Sequence, residues 1–250
     1  MAHHSTKYQN APFLMITDFD GTITLRDSND FMVDTLGMGY TERRKLNDLI
    51  LKEELSFRDG FHQMLQSVHE PFDKVVRLAT DAIKLDPGFK QFFQWAKQVH
   101  LPVVIVSSGM EPIIRSILSN LIGDEDAAQI DIVSNDVKYT DAEGKGDTWE
   151  IVFRHPDNPY GHDKSLSIKP YRELQQRPTI FFAGDGVSDM SAARHADVLF
   201  VKDQEDNDLA VYCRRHEIPF KLFKDWTVIR DEVAKVLEGK AKPAEIMDSA

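Results

Sequence analysis

Four short runs of apolar and β-branched residues recur along the chain, separated by longer stretches in which polar and apolar residues alternate. The runs are Phe13–Thr17, Pro102–Ser107, Thr179–Ala183 and Val198–Val201. Runs of this length and composition are typical of strands buried on both faces of a parallel sheet. Amphipathic helical patterns lie between and after them, which predicts a doubly wound, Rossmann-like α/β fold with a mostly parallel sheet.

The stretch between the first two runs is too long for a single crossover helix. It contains three helical patterns, at Glu42–Glu54, Phe57–Val68 and Phe72–Lys84. We therefore predict an inserted helical cap domain over residues 27–86. The α/β core would then consist of residues 1–26 and 87–250.

A second irregular region follows the second run. The segments Val133–Tyr139 and Thr148–Phe153 flank a turn that contains glycine, which predicts a small β-hairpin flap. A polar loop follows the hairpin and carries His155 and His162. Metal binding by this histidine pair is one possibility, but we favour a role in structuring the loop.

Composition narrows the classes of function. The 250 residues are 42% hydrophobic, which favours a folded core, and 30 basic against 41 acidic residues leave a net charge of −11. That charge argues against nucleic acid or an anionic membrane as the main partner. The sequence contains no run of about 18 apolar residues, so no membrane span is predicted. Cys213 is the only cysteine, which fits a reducing compartment, cytoplasmic or also nuclear. The oligomeric state stays open.

The first apolar run ends in two carboxylates, Asp18 and Asp20, followed by Gly21. Side chains two residues apart leave a strand on the same side. Open α/β sheets bind ligands beyond the carboxyl ends of their strands, and paired like charges are costly there unless a cation or a reaction needs them. The pattern indicates a metal-assisted carboxylate nucleophile with a second carboxylate as its acid/base partner. The alternative is an ordinary Asp-Gly turn.

Two further segments contain candidate anion-binding residues. Ser107 ends the second run, and Gly109 follows it before a helix, so a hydroxyl and free N–H groups could form an anion cradle. A simple serine helix cap is the alternative. Lys164 lies in a polar segment before a further helix or strand, and its alternative is an ordinary solvated surface charge.

The third run leads through glycines into Asp185 and Asp189. A turn that caps the next helix would explain Asp189 but not Asp185. Together with the preceding candidates, these carboxylates supply what phosphoryl transfer needs, namely a nucleophile, positive charge and an acid for the leaving oxygen. An oxygen-only ligand set favours Mg²⁺, and there is no Cys/His clustering of the kind that zinc prefers.

The order of these motifs resembles that of the haloacid dehalogenase superfamily of phosphatases, over nearly the whole chain. The insertion after the first motif resembles the type 1 cap of the phosphoserine phosphatase branch. Within this superfamily, two segments look like a fungal group of polyol-phosphate phosphatases. These segments are Asp18–Met32 and Phe153–Ser165.

The resemblance implies a chemical role for each carboxylate of the first and last motifs. Asp18 would be the nucleophile that forms an aspartyl-phosphate, and Asp20 would protonate the leaving alkoxide and later deprotonate water. Mg²⁺ would be held by Asp18, the backbone carbonyl of Asp20 and Asp185. The implied partner is a small-molecule phosphate ester.

The resemblance also implies how the phosphoryl group is bound. Ser107, the N–H of Gly109, and Lys164 would contact the phosphoryl oxygens. Asp189 would support Lys164 or the water ligands of the metal ion.

The predicted cap departs from the phosphoserine phosphatase pattern. Those enzymes carry Glu nine residues after the nucleophile, where this chain has Asp27. They also carry Arg seven residues after a cap Phe; counting from Phe57, that position is Met64, which cannot pair with a carboxylate. Arg58 is nearby in sequence but belongs to a different helical face.

These departures predict a polyol or sugar phosphate as the substrate rather than phosphoserine. A phosphoserine or enolase-type phosphatase and a phosphomutase of the same superfamily remain alternatives. A non-catalytic protein that binds phosphorylated metabolites is a weaker one, since a binder needs neither an attacking carboxylate nor a proton donor.

Overall fold

The computed structural model describes residues 7–205 and 207–248. The chain divides into two compact units. Unit 1 comprises Met1–Ile23, Leu85–Val106 and Asp163–Ala250, and unit 2 comprises Thr24–Lys84 and Ser107–His162. Most of the predicted cap therefore falls in unit 2, together with a segment that the sequence analysis placed in the core. The cap boundaries at residues 27–86 stay a prediction.

The described residues form seven strands and twelve α-helices. The strands are β1 (Phe13–Thr17), β2 (Val103–Met110), β3 (Asp131–Tyr139), β4 (Trp149–Val152), β5 (Thr179–Gly184), β6 (Val198–Lys202) and β7 (Lys221–Phe223). The helices are α1 (Ser28–Leu36), α2 (Tyr40–Leu51), α3 (Phe57–Gln66), α4 (Phe72–Ala82), α5 (Phe89–Gln98), α6 (Glu111–Ile122), α7 (Asp124–Ala128), α8 (Ser165–Arg172), α9 (Met190–Ala193), α10 (Asp208–Arg215), α11 (Trp226–Leu237) and α12 (Pro243–Ile246). In the part of the chain that the structure describes, no helix is long and apolar enough to cross a membrane.

The strands form one sheet in the order β4-β3-β2-β1-β5-β6-β7. β1 is parallel to β2 and to β5, with Thr17 opposite Ile105 on one side and Ala183 on the other. β5, β6 and β7 are parallel in turn, whereas β3 and β4 are antiparallel. The predicted mostly parallel α/β sheet and the hairpin are confirmed. Since β1 and β5 are parallel neighbours, the residues that follow them emerge at the same edge of the sheet.

The core of unit 1 is built from the sheet and an aromatic cluster. The middle residues of β1 are essentially inaccessible to solvent, as expected for a strand covered on both faces. Trp226 of α11 packs against the rings of Phe89 and Phe92 of α5, with ring centroids 4.9 and 4.6 Å apart. Aromatic pairs at these distances add to the stabilisation that comes from burial alone.

In unit 2 the hairpin packs against α4. The ring of Phe72 lies 5.2 Å from that of Trp149 and 5.9 Å from that of Tyr139, measured between centroids. The indole N–H of Trp149 donates to the carbonyl of Glu70 at 3.0 Å, so this large, half-buried side chain has its polar group satisfied. The hairpin is therefore held to the helical segment of unit 2 by both apolar and polar contacts.

Four elements were not predicted from the sequence, namely α1, α7, α12 and β7. Helix α1 lies in the stretch between the first motif and the first predicted cap helix, and its signal was the N-cap Asp27, whose side chain accepts hydrogen bonds from the N–H groups of Asn29 and Asp30. Strand β7 has only three residues, too few for a periodicity to be detected. The structure also extends β2 to Met110, so that Ser107 and Gly109 lie within the strand.

Candidate active site

Asp18 follows β1 and is almost fully buried. Its backbone N–H donates to the carbonyl of Ala183 on β5 at 2.9 Å, which continues the strand pairing by one residue. Its side-chain Oδ1 accepts a hydrogen bond from Nζ of Lys164 at 2.6 Å. Lys164 directly precedes α8 and has no solvent-accessible surface, so the solvated-charge alternative is wrong.

Asp189 is the second partner of Lys164. Its Oδ1 accepts from Nζ of Lys164 at 2.7 Å, while its Oδ2 accepts from the N–H groups of Asp185 and Gly186 at 3.0 and 3.1 Å. The side chain is completely buried. Asp189 therefore orients both the lysine and the backbone that carries Asp185. This arrangement matches the supporting role that the resemblance implies for it, which itself stays a prediction.

Asp185 is approached closely by the turn that follows β1. The hydroxyl of Thr22 donates to Oδ1 of Asp185 at 3.1 Å, and the indole N–H of Trp226 donates to the carbonyl of Thr22 at 2.9 Å. A Cβ at Gly21 would collide with the Asp185 carboxylate, and Gly21 has φ of +75°, so glycine is required there on both counts. The roles of Thr22 and Trp226 in holding this turn were not predicted from the sequence.

Asp20 lies in the same turn and is buried. The N–H groups of Thr22 and Ile23 donate to the carbonyl of Phe19 at 3.4 and 2.9 Å, which closes the turn around Asp20. Asp20 retains only 6% of its accessible surface. A second carboxyl group is thus held two residues beyond Asp18 in a largely water-free environment.

The electrostatics of this cluster favour binding of a cation. Burial raises the pKa of Asp18 to about 7, although the charge of Lys164 acts to lower it. Burial acts to lower the pKa of Lys164, but Asp18 and Asp189 outweigh it and raise that pKa above its ordinary value. One oxygen each from Asp18, Asp185 and Asp189 lies within 4.8 Å of the others. Three carboxylates with one ammonium group leave an excess of negative charge.

The donor set fits Mg²⁺. Its atoms are all carboxylate oxygens, which are the ligands that this hard cation prefers, and no thiolate or imidazole takes part. Both oxygens of Asp189 already accept hydrogen bonds from the protein. Asp18 and Asp185 are consequently the better candidates for direct ligands, and the predicted ligand set itself stays a prediction.

The second predicted motif lies in unit 2 and is equally buried. Ser107 has 1% of its surface accessible, and its Oγ accepts from the N–H of Gly109 at 3.0 Å. The residue at the N-cap of α6 is Met110, so the simple serine cap considered as an alternative is not formed. Two buried side chains that the sequence analysis did not assign to the site contact this segment. They are His162, through the carbonyl of Ser107, and Asn135, through the carbonyl of Ser108.

The three predicted specificity residues also belong to unit 2. Asp27 caps α1, and burial raises its pKa against the lowering effect of the N–H groups of α1. Met64 is buried in the apolar core, with 4% of its surface accessible. Arg58 pairs with Asp59 at 2.8 Å and donates to the carbonyl of Pro156 at 2.5 Å. Each of the three therefore has a structural role inside unit 2, and a role in substrate selection stays a prediction.

Comparison with known proteins places this geometry in a family. The family model described as haloacid dehalogenase-like hydrolase matches residues 15–194. The polyol phosphate phosphatase PYP1 of Saccharomyces cerevisiae is 44% identical over 94% of this chain and 98% of its own length. Pdp3-interacting factor 1 of Schizosaccharomyces pombe is 43% identical over 91% of this chain and 97% of its own length. A solved phosphoserine phosphatase has the same fold, with a TM-score of 0.61 and 15% identity over 85% of this chain and 94% of that one.

The α/β fold, the cluster of carboxylates and the family match together identify the chain as a hydrolase. The chain belongs to the haloacid dehalogenase-like hydrolase family. The predicted superfamily and the predicted enzyme class, a phosphatase of that superfamily, are thereby confirmed. The likeness to phosphoserine phosphatase concerns the fold alone.

Proposed function

We propose that the chain is a Mg²⁺-dependent phosphomonoesterase that hydrolyses small polyol or sugar phosphates through an aspartyl-phosphate on Asp18. The observation that carries the proposal is the buried contact of Asp18 with Lys164, which Asp189 holds from the other side. A carboxylate oriented in this way is suited to attack rather than to surface solvation. The substrate class is supported by the polyol phosphate phosphatase of Saccharomyces cerevisiae, to which this chain is similar over nearly its whole length.

Each half-reaction uses the same two carboxyl groups. An oxygen of Asp18 attacks the phosphorus atom, the bond to the ester oxygen breaks, and the carboxyl group of Asp20 gives its proton to the leaving alkoxide. The Asp20 carboxylate then accepts a proton from water, and the water oxygen attacks the phosphorus atom. Inorganic phosphate leaves and the Asp18 carboxylate is regenerated.

The remaining residues prepare these steps. Lys164 fixes the orientation of the Asp18 carboxylate and supplies positive charge in a dry environment, where charge acts strongly. Asp18, the carbonyl of Asp20 and Asp185 would hold Mg²⁺, which when bound neutralises negative charge on the phosphoryl oxygens. The resemblance assigns phosphoryl binding to Ser107, the N–H of Gly109, and Lys164.

The substrate preference is argued from unit 2. Met64 offers no charge, and the guanidinium of Arg58 is already engaged by Asp59 and by a backbone carbonyl. Neither supplies a cation of the kind that a substrate carboxylate needs, which favours a substrate with hydroxyl groups. Contact of Asp27 with such a hydroxyl would use the carboxylate oxygen that does not cap α1.

The nucleophile is tested by substitution and by trapping. Purified Asp18→Asn should fold normally and release no phosphate from glycerol 3-phosphate, because an amide is too weak a nucleophile. The matched control is Asp203→Asn, an exposed carboxylate that follows β6. Acid-quenched wild type should yield homoserine at position 18 after borohydride reduction. Substantial turnover by Asp18→Asn would refute the assignment of the nucleophile. Homoserine at another position would refute it as well.

The substrate class is tested by kinetics on matched esters. With Mg²⁺ present, kcat/KM for ribitol 5-phosphate or glycerol 3-phosphate should exceed that for phosphoserine, by up to about 10⁴-fold where a polar partner is missing. EDTA should abolish activity on all three, and Mg²⁺ should restore it. If phosphoserine were the best substrate, the argument from Met64 would be wrong and Arg58 would be the first residue to re-examine.

A further inference from the structure

The backbone of the Ser107–Gly109 segment is held by two side chains from distant parts of unit 2. The carbonyl of Ser107 lies 2.7 Å from Nδ1 of His162. The next carbonyl, that of Ser108, accepts a hydrogen bond from Nδ2 of Asn135 at 2.7 Å. Consecutive carbonyls inside a buried strand are thus bonded by side chains rather than left to solvent.

The contact with His162 sets the protonation of its ring. A carbonyl oxygen can only accept, so Nδ1 must carry the hydrogen. His162 is completely buried and ends a loop that is closed by hydrogen bonds from His155 N–H to the Gly161 carbonyl, at 2.7 Å, and from Gly161 N–H to the Asn158 carbonyl, at 2.8 Å. A Cβ at Gly161 would overlap the ring of Phe153. The backbone that carries the imidazole is therefore fixed by hydrogen bonds within the loop and by close packing against Phe153.

The side-chain amide of Asn135 is hydrogen-bonded at both its oxygen and its nitrogen. Oδ1 of Asn135 accepts from the N–H of Arg154 at 2.9 Å, while Nδ2 donates to Ser108. Both ends of the amide are used and the side chain is 1% exposed, so its orientation is determined. Asn135 thus ties β3, the chain after β4 and the end of β2 together.

Holding these carbonyls also aims the N–H groups of the segment. In a planar trans peptide the C=O and N–H bonds point in opposite directions. The contact at the Ser107 carbonyl therefore directs the N–H of Ser108, and the contact at the Ser108 carbonyl directs the N–H of Gly109. The latter donates to the Ser107 hydroxyl oxygen at 3.0 Å, so the two groups proposed to bind an anion are in direct contact.

We infer that His162 and Asn135 are positioning residues that hold the Ser107–Gly109 backbone in the orientation in which it binds phosphoryl oxygens. The inference rests on the proposed function, because it needs this segment to bind phosphate. Neither side chain has to touch the substrate. Donors held in place before the reaction contribute more than donors that must reorganise during it.

The test compares variants that remove one hydrogen bond with variants that restore it. His162→Leu removes the donor, whereas His162→Asn returns an N–H donor to the Nδ1 position. Asn135→Asp keeps the acceptor for Arg154 but replaces the donor that faces Ser108. Asp136→Asn and Asp157→Asn, which change exposed neighbours, serve as matched controls. The measurements are kcat/KM for glycerol 3-phosphate, the inhibition constant of orthovanadate and the Mg²⁺ concentration for half-maximal activity.

We expect His162→Leu and Asn135→Asp to weaken orthovanadate inhibition and to lower kcat/KM by about tenfold or more, as for other residues that orient ligands from behind. His162→Asn and both controls should stay near wild type, and the Mg²⁺ requirement should not shift. A purely structural role would lower the melting temperature and leave the orthovanadate constant of the folded enzyme unchanged.

The outcomes separate this inference from the proposed function. If wild type hydrolyses the ester but the folded variants bind orthovanadate like wild type, the inference is overturned and the proposed function stands. If wild type neither hydrolyses the ester nor binds orthovanadate, both fall. If His162→Leu does not fold, the comparison of His162→Asn with Asn135→Asp decides. Equal weakening by His162→Asn and His162→Leu would contradict the role of the donor.

Discussion

The buried carboxylate of Asp18 should make the stability of the metal-free protein depend on pH. Its side chain is 8% exposed, and burial raises its pKa from 3.8 to about 7. The folded protein therefore binds a proton at Asp18 over a pH range in which the unfolded chain has released it. Stability from this group is complete below about pH 4 and is lost as the pH rises through about 7.

The size of the effect follows from the shift. One pKa unit corresponds to about 1.4 kcal/mol, so the full effect is on the order of 4 kcal/mol, of which about 3 kcal/mol falls between about pH 5 and about pH 8. Asp18→Asn keeps the shape of the side chain but cannot titrate. The difference in unfolding free energy between Asp18→Asn and wild type should therefore grow, in favour of the variant, by about 3 kcal/mol over that range.

Urea unfolding in EDTA at the two pH values measures this difference. Other buried acids cancel in the comparison, including Asp30, whose pKa burial also raises to about 7. Asp203→Asn, at an exposed position, should follow wild type at both pH values. Adding Mg²⁺ should stabilise wild type more than Asp18→Asn at the higher pH, because the cation favours the ionised carboxylate.

Parallel pH profiles for wild type and Asp18→Asn would refute this argument. They would mean that Lys164 compensates the burial of Asp18 fully, so that its pKa in the folded state is ordinary. A difference that shrinks with rising pH would mean that Lys164 dominates and that the pKa is lowered.

Three further changes test the contacts around the site. Lys164→Met leaves Asp18 and Asp189 without their shared cation. In urea titrations at about pH 8, this variant should have an unfolding free energy lower by about 3–5 kcal/mol. A loss below about 1 kcal/mol would contradict the buried ion pair. Asp27→Ala removes the cap of α1 and should cost about 0.5–2 kcal/mol, measured in the same way, whether or not KM changes. Trp226→Phe leaves the carbonyl of Thr22 without its donor and should cost about 1–3 kcal/mol; an unchanged urea midpoint would show that water replaces the indole.

The sequence predicted the sheet well because its strands are buried on both faces. Continuous apolar runs identify such strands without knowledge of their neighbours, as for Phe13–Thr17, which is identical to β1. The hairpin was found for a similar local reason, since its strands are joined by turn residues. Helix α1 and strand β7 were missed, because the first is marked mainly by its cap and the second is too short to show a period.

The candidate site was also partly evident in the chain. Carboxylates placed directly after two apolar runs were enough to select Asp18 and Asp185, since parallel strands end at the same edge of a sheet. Nothing local distinguishes Lys164 from a surface lysine. Its complete burial between Asp18 and Asp189 results from packing of segments far apart in sequence, and only the tertiary structure decides it.

The same limit applies to the side chains that hold the site without belonging to a motif. Each of His162, Asn135 and Trp226 holds a backbone carbonyl of another segment by a hydrogen bond. Every residue has a backbone carbonyl, and the fold decides where that carbonyl points. No sequence pattern therefore identifies these hydrogen bonds. The chain by itself therefore determined the sheet, the order of the motifs and the family, because these follow from local burial and residue type. The buried polar contacts that orient the site were decided by tertiary packing, because it alone brings a particular donor to a particular carbonyl.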